Sequence, residues 1–125
     1  MNTASAYAQY KQQSIVTLTP GEIIVKLYDE AIKRCNFSIK YLEDKDYEAA
    51  NISLKKAQDI VSYLKSSLDS SYDISHNLSQ LYDYAKAQLI EANIKKNAQP
   101  IEEVIPILKE LREAFDTAEK STRKN

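Results

Sequence analysis

The sequence contains few of the residues that β-structure, disulfides and metal sites require. Its 125 residues include one glycine, three prolines, one cysteine, one histidine and no tryptophan. Sheets with many tight turns need glycine at positive φ, so a single glycine argues against a β fold and excludes a glycine-rich phosphate loop. One cysteine forms no disulfide within the chain, and one histidine supplies no imidazole pair for a metal ion. The composition therefore favours long helices joined by a few loops.

The sequence also lacks an excess of one charge and any long apolar run. Lys and Arg number 17 against 18 Asp and Glu, and the formal net charge of −1 predicts no nucleic-acid partner. The first residues lack the apolar core of a signal peptide, and no run approaches the roughly 20 apolar residues of a membrane span. We therefore expect a single cytoplasmic domain with no membrane insertion.

Helical periodicity is present in four consecutive segments. Apolar residues recur every three or four positions, and Thr19 to Glu22 has the form of a capping box at the start of the first segment. Pro106 should bend the fourth segment without ending its helix. The predicted fold is all-α, an antiparallel up-and-down four-helix bundle over 19–120, followed by a polar tail at 121–125. The predicted helices lie at about 20–42, 46–68, 74–96 and 100–119.

Residues 1–18 lie outside this helical pattern. The leader consists mostly of small and polar residues, and its apolar or aromatic residues are Tyr7, Tyr10, Ile15, Val16 and Leu18. The leader is either a terminus with incidental aromatic residues or a lid, with or without a short helix, that packs on the bundle and can be displaced.

Helices two and three carry more apolar residues than one core stripe needs. Tyr63 lies off the stripe of helix two, and Tyr84, Ile90 and Ile94 lie off the stripe of helix three. A broader core face explains this pattern, and so does a groove that accepts helices from another chain.

The tripeptide Leu-Tyr-Asp occurs at 27–29 and again at 81–83. When helices one and three are aligned on the two tripeptides, their core-facing apolar positions match. The match indicates that both helices pack with the same residue spacing, rather than a sequence repeat. The pattern predicts that Tyr28 packs beside the core with its hydroxyl near the edge of the bundle. In the interpretation with a groove, the same pattern places Tyr82 beside the groove.

We find no constellation of catalytic residues, and we expect a protein that is not an enzyme and uses no cofactor. Cys35 lies on the apolar stripe of helix one, which is typical of a buried thiol. Histidine phosphotransfer domains are also four-helix bundles, with a context like His-x-Leu-Lys-Gly. Here His76 is followed by Ser79 and Gln80 at the Lys and Gly positions. Phosphotransfer through His76 stays open as an alternative, as does a generic helical adaptor or dimerisation domain.

Several segments, in the right order, resemble the FliS-type flagellar export chaperones. The stretch TLTPGEIIVKLYDEAI at 17–32 resembles the start of the first helix in that family, and shorter matches continue to about residue 118. Two positions depart from the family pattern. Glu30 stands where glycine is expected, so the resemblance does not support a close helix approach at that point. Phe115 stands where a tryptophan often follows the Leu-Arg-Glu-Ala stretch.

The resemblance implies a cytoplasmic, non-enzymatic chaperone for flagellin. Such a protein is expected to hold the C-terminal segment of flagellin as helices in apolar grooves, to block premature polymerisation, and to deliver flagellin to a component of the flagellar type III export gate. The leader of this family is thought to lie over the groove when no client is bound. An anti-sigma factor or co-chaperone, and self-association without client, are further partners that the sequence leaves open.

The resemblance and the second apolar stripe together place the client groove on helices two to four. Tyr7, Tyr10 and Ile15 are the expected lid. Some of the candidate groove residues must also belong to the core, and the sequence does not separate the two roles. The candidate groove residues are Ile60, Tyr63, Leu64, Leu78, Leu81, Tyr82, Ala85 and Leu89.

Overall fold

Four α-helices make up the part of the chain that the computed structural model describes, residues 18–123. The prediction of an all-α fold is confirmed. The predicted lid residues Tyr7, Tyr10 and Ile15 lie outside the described residues. The helices are α1 (Pro20–Glu43), α2 (Tyr47–Ser66), α3 (Ile74–Lys95) and α4 (Gln99–Arg123).

The helix bounds follow from local signals. Thr19 accepts a hydrogen bond from the Glu22 amide at 3.1 Å while the Glu22 carboxylate accepts from the Thr19 amide, so the predicted capping box is present. Asp46 caps α2 by accepting from the Ala49 amide. Helix α4 continues through Pro106 and past its predicted end into the segment predicted as a tail, because the Lys120–Asp116 pair and other i,i+4 contacts support its last turns.

The four helices form a ring of neighbours in which α1 and α3 each contact both α2 and α4. Contacts across the helix ends give the direction of each helix. Thr19 at the start of α1 meets Glu119 near the end of α4, and Asn51 near the start of α2 meets Asn93 near the end of α3. Neighbouring helices are therefore antiparallel, in the up-and-down order predicted from the short connections.

Small residues bring α1 and α2 close together. Ser38 of α1 and Ser53 of α2 both donate their hydroxyls to the Arg34 carbonyl, at 2.7 and 2.9 Å. Ala31 and Ala57, which are fully buried, lie on the same helices. Each buried hydroxyl thus has a partner, and the two backbones approach without a polar group left unsatisfied.

The position of Tyr28 corrects the sequence interpretation. Its hydroxyl was expected near the edge of the bundle, but the residue is 0% exposed and its hydroxyl bonds to that of Tyr82 on α3. The first Leu-Tyr-Asp places its tyrosine inside and leaves Leu27 only partly buried. The helix is rotated so that the larger ring fills the centre of the bundle.

Candidate functional site

An open cavity of about 470 Å³ lies at the end of the bundle where α1 begins and α2 ends. All four helices and the connection between α2 and α3 contribute to its walls. Its lining is predominantly apolar, and binding pockets for partners and ligands share that property. The lining residues are Pro20, Ile23, Ile24, Tyr63, Leu64, Ser67, Leu68, Asp69, Tyr72, Ile74, Ser75, Leu78, Tyr82 and Phe115.

The connection between α2 and α3 contributes exposed side chains to the cavity. Asp69 accepts hydrogen bonds from the amide and the hydroxyl of Ser71, at 2.9 and 2.7 Å, and these bonds lower the pKa of its carboxyl group. The turn carries Tyr72 and Ile74 into the lining, yet they are 65% and 60% exposed. Large apolar side chains therefore remain in contact with solvent at the mouth of the cavity.

The start of α3 lacks the side-chain cap that the starts of α1 and α2 have. Asp73 takes helical dihedral angles at the N-cap position and makes no side-chain cap hydrogen bond. Thr19 and Asp46, at the corresponding positions of α1 and α2, both make one. The first turn of α3 therefore lacks the stabilisation that a side-chain cap gives.

Four of the predicted groove residues line this cavity. Tyr63 is 55% exposed, whereas Leu64, Leu78 and Tyr82 reach the cavity from the core cluster. The other four predicted groove residues are not part of the cavity lining. Ile60 is partly buried against the core and Leu81 is exposed on α3, while Ala85 and Leu89 are buried in the core away from the cavity.

The sequence interpretation missed the contribution of α1 and of the α2–α3 connection. Ile23 and Ile24 of α1, together with Phe115 of α4, belong to the lining as well. A signal for the contribution of the connection was present, because Leu68 and Tyr72 are large apolar residues in an otherwise polar turn. Such residues in a connection either seal a core or face a binding site.

A second cavity of about 380 Å³ lies between α2 and α3 and has charged side chains in its lining. Its lining includes Lys65, Asp83 and Lys86, and the Lys65 ammonium lies 2.6 Å from the Asp83 carboxylate. Tyr82 borders both cavities. The tyrosine of the second Leu-Tyr-Asp therefore lies between the two cavities.

His76 and Cys35, the two residues considered as reactive groups in the sequence, differ in their exposure to solvent. His76 is exposed in the first turn of α3. Cys35 is 0% exposed, and burial raises the pKa of its thiol to about 12, which is unfavourable for a nucleophile. Among residues 18–123, no group of three ligating side chains could hold a metal ion, and no helix is both long and apolar enough to cross a membrane.

Comparison with known proteins places the chain in one family. Residues 3–122 match the family model described as flagellar protein FliS. The chain is 38% identical over 122 residues to the flagellar secretion chaperone FliS of Salmonella typhimurium, covering 92% of this chain and 90% of that protein. It is 33% identical over 125 residues to the flagellar secretion chaperone FliS of Bacillus subtilis, covering 100% of this chain and 94% of that protein.

A solved structure described as a flagellar chaperone from bacteria has the same fold. It superposes with a TM-score of 0.77 and covers 96% of this chain and 99% of its own, at 20% sequence identity. The helix order and the family match agree with the resemblance seen in the sequence. The chain belongs to the FliS family of flagellar secretion chaperones.

Proposed function

We propose that the chain is a cytoplasmic chaperone for flagellin. It binds the C-terminal segment of flagellin, prevents premature polymerisation and aids delivery to the flagellar type III export apparatus. The observation that carries this proposal is the open apolar cavity, because it presents large apolar side chains to solvent at a place where a second chain can cover them.

The energetics of such a client favour a site of this kind. Ordering a disordered segment costs several kcal/mol, so the complex must bury an apolar area on the order of 1,000–3,000 Å². The cavity alone is too small for this, but Tyr63 and Ile74 in its lining are more than half exposed, and Leu81 on α3 adds apolar surface outside it. We therefore expect one or two apolar side chains of the client to enter the cavity while the rest of its helix covers the neighbouring surface.

The leader is proposed to act as a lid over this site. The chain enters α1 at Thr19, directly before Pro20, which lines the cavity. A segment attached at this point is held near the cavity at high effective concentration. Tyr7, Tyr10 and Ile15 supply the apolar side chains for such a competitor.

The direct test is calorimetry with a synthetic peptide from the C-terminus of a flagellin of the same organism. We expect micromolar or tighter binding, with circular dichroism showing more helix than the sum of the free parts. A scrambled peptide of identical composition should not bind. The proposal is wrong if the flagellin peptide binds neither to the full chain nor to a chain without residues 1–16.

Two matched tyrosine variants locate the site. Tyr63→Ala removes a ring from the cavity lining and should weaken peptide binding by about tenfold or more. Tyr47→Ala removes a comparably exposed ring from the other end of α2 and should have little effect. Equal losses for the two variants would place the client elsewhere on the bundle.

Deletion of residues 1–16 tests the lid. Among residues 18–123 the buried core lies between Val25 and Leu108, and the shortened chain retains all of this part. Peptide affinity should change, while the thermal midpoint stays nearly the same. A large fall in the thermal midpoint would make the leader a structural element instead.

A further inference from the structure

The last turns of α4 contact the first turn of α1 through Glu119. The Thr19 hydroxyl donates to the Glu119 carboxylate at 2.9 Å, while the same hydroxyl oxygen accepts from the Glu22 amide. The N-terminus of a helix carries partial positive charge, so a carboxylate is stabilised there. Glu119 therefore contributes to capping a helix other than its own.

The only glycine of the sequence lies in this contact. Gly21 has no positive φ, so its backbone does not require glycine. A Cβ atom at this position would overlap the Glu119 carboxylate. The absence of a side chain at Gly21 leaves the space that the carboxylate occupies.

The contact closes one wall of the large cavity. Pro20, Ile23 and Ile24 follow Thr19 on α1, and Phe115 precedes Glu119 by one turn on α4; all four line the cavity. The part of α4 that contributes to this wall is the least buried part of the helix, because the described side chains after Leu108 are partly buried or exposed. A segment held by few buried contacts opens at a low free-energy cost. Polar contacts then contribute a large part of the free energy that holds the segment in position.

We propose that Glu119 is a latch that holds the C-terminal half of α4 against the start of α1 and so controls the width of the cavity. In the latched state Phe115 lines the cavity and packs on Tyr28. Release of the carboxylate lets the last turns of α4 move away and exposes more apolar surface to an incoming segment. Glu119 is thus a positioning residue, and its effect on client binding rests on the proposed function.

Two variants release the latch in different ways. Glu119→Gln keeps the size of the side chain but removes the charge that strengthens the hydrogen bond. Gly21→Ala keeps the carboxylate but displaces it with a methyl group, in a helix position where alanine is otherwise favourable. Glu110→Gln is the control, because Glu110 is an exposed acid on the same helix outside the cavity lining.

The first measurement is amide hydrogen exchange, which needs no client. Both release variants should exchange about fivefold or more faster than the parent over residues 112–122, and should bind the apolar dye anilinonaphthalene sulfonate more strongly. Glu110→Gln should match the parent in both measurements. If exchange at 112–122 is the same in the release variants and in the control, the latch does not exist.

The second measurement separates the latch from the proposed function. The flagellin peptide should associate several-fold faster with both release variants than with the parent and with Glu110→Gln. Faster exchange without any peptide binding by the four chains would retain the latch and contradict the proposed client. Faster exchange with unchanged association would show that the wall does not limit entry, and would overturn its role as a gate.

Discussion

The hydroxyl of Tyr28 on α1 is hydrogen-bonded to the hydroxyl of Tyr82 on α3, between helices that are not neighbours in the bundle. The two residues are 54 positions apart and occupy the same place in the two copies of Leu-Tyr-Asp. Both are buried, and the Tyr28 ring also packs on Phe115, with centroids 5.6 Å apart. The pair thus joins the centre of the core to one wall of the cavity.

The aspartates of the two copies form ion pairs with different helices. Asp29 binds Arg112 of α4 at 2.9 Å, and Asp83 binds Lys65 of α2 at 2.6 Å. Each pair lies at the surface and contributes little to stability alone. The tripeptide therefore combines an inward tyrosine with an outward charge directed at the adjacent helix.

Removal of one hydroxyl from the tyrosine pair should destabilise the bundle. Tyr28→Phe or Tyr82→Phe leaves the other hydroxyl buried without its partner, which costs about 1–3 kcal/mol in the free energy of unfolding. The double variant should lose less than the sum of the single variants, since it leaves neither hydroxyl unpaired. Urea denaturation of the four proteins measures this coupling, and strictly additive losses would contradict it.

The tyrosine pair should also make stability fall at alkaline pH. Burial raises the pKa of Tyr28, an effect reinforced by its bond to Tyr82, and burial likewise raises the pKa of Tyr82. An unfolded tyrosine releases its proton near pH 10, so above that pH the unfolded state binds fewer protons than the folded state and becomes favoured. The stability that the pair contributes is thus complete below about pH 10 and is lost as the pH rises.

Denaturation at pH 8 to 11 measures this loss. The chain with both Tyr28→Phe and Tyr82→Phe should show a shallower decline than the parent above pH 10. Other ionisable groups act equally in both proteins, so the comparison isolates the pair. Identical pH profiles would show that the two phenols titrate normally.

Lys45 is expected to accept glycine with a gain in stability. It connects α1 to α2 with φ at 58°, in the left-handed region that glycine adopts without strain. After the greater freedom of the unfolded glycine chain is subtracted, Lys45→Gly should raise the free energy of unfolding by about 0.5–1 kcal/mol. The matched control Lys26→Gly, on an exposed face inside α1, should lower it by about 1 kcal/mol. A loss of stability for Lys45→Gly would mean that its side chain makes a compensating contact.

A large side chain at Ser75 should fill the cavity. Ser75 is partly buried in the first turn of α3 and lines the cavity. Ser75→Phe should weaken binding of the flagellin peptide by about tenfold or more, because a ring occupies the space that the client side chain needs. Asn77→Phe, exposed on the same helix outside the lining, is the control and should bind normally. Comparable affinities for the two variants would exclude the cavity as the client site.

The Cys35 thiol should be unreactive while the protein is folded. It is fully buried, and the raised pKa of its thiol leaves almost no thiolate at neutral pH. Ellman's reagent should modify it only at the rate at which the bundle unfolds, and at once in concentrated urea. A Ser70→Cys change in the exposed α2–α3 connection provides a thiol that reacts immediately. Rapid modification of Cys35 in the native chain would reveal a local opening of α1.

The sequence predicted the helices because their signals are local. The capping box at Thr19, the apolar spacing and the scarcity of glycine act within a few residues, so they predict helix position and the order of the bundle without tertiary contacts. The segments that resemble FliS-type chaperones were likewise readable directly from the residues. The end of α4 was less predictable, since its last turns are supported by pairs such as Lys120–Asp116 that also suit a solvated tail.

The cavity depended on the rotation of each helix and on the path of the α2–α3 connection. Leu81 and Tyr82 are adjacent and both suit the stripe of α3, and only packing against Tyr28 decides that the tyrosine is buried and the leucine is 38% exposed. The latch pairs residues 100 positions apart, a relation that no local pattern contains. The sequence by itself determined four amphipathic helices in an up-and-down order, because propensity and periodicity are properties of neighbouring residues. The tertiary structure decided which apolar side chains fill the core and which are left to form a binding site, because that choice is made by the partner helices.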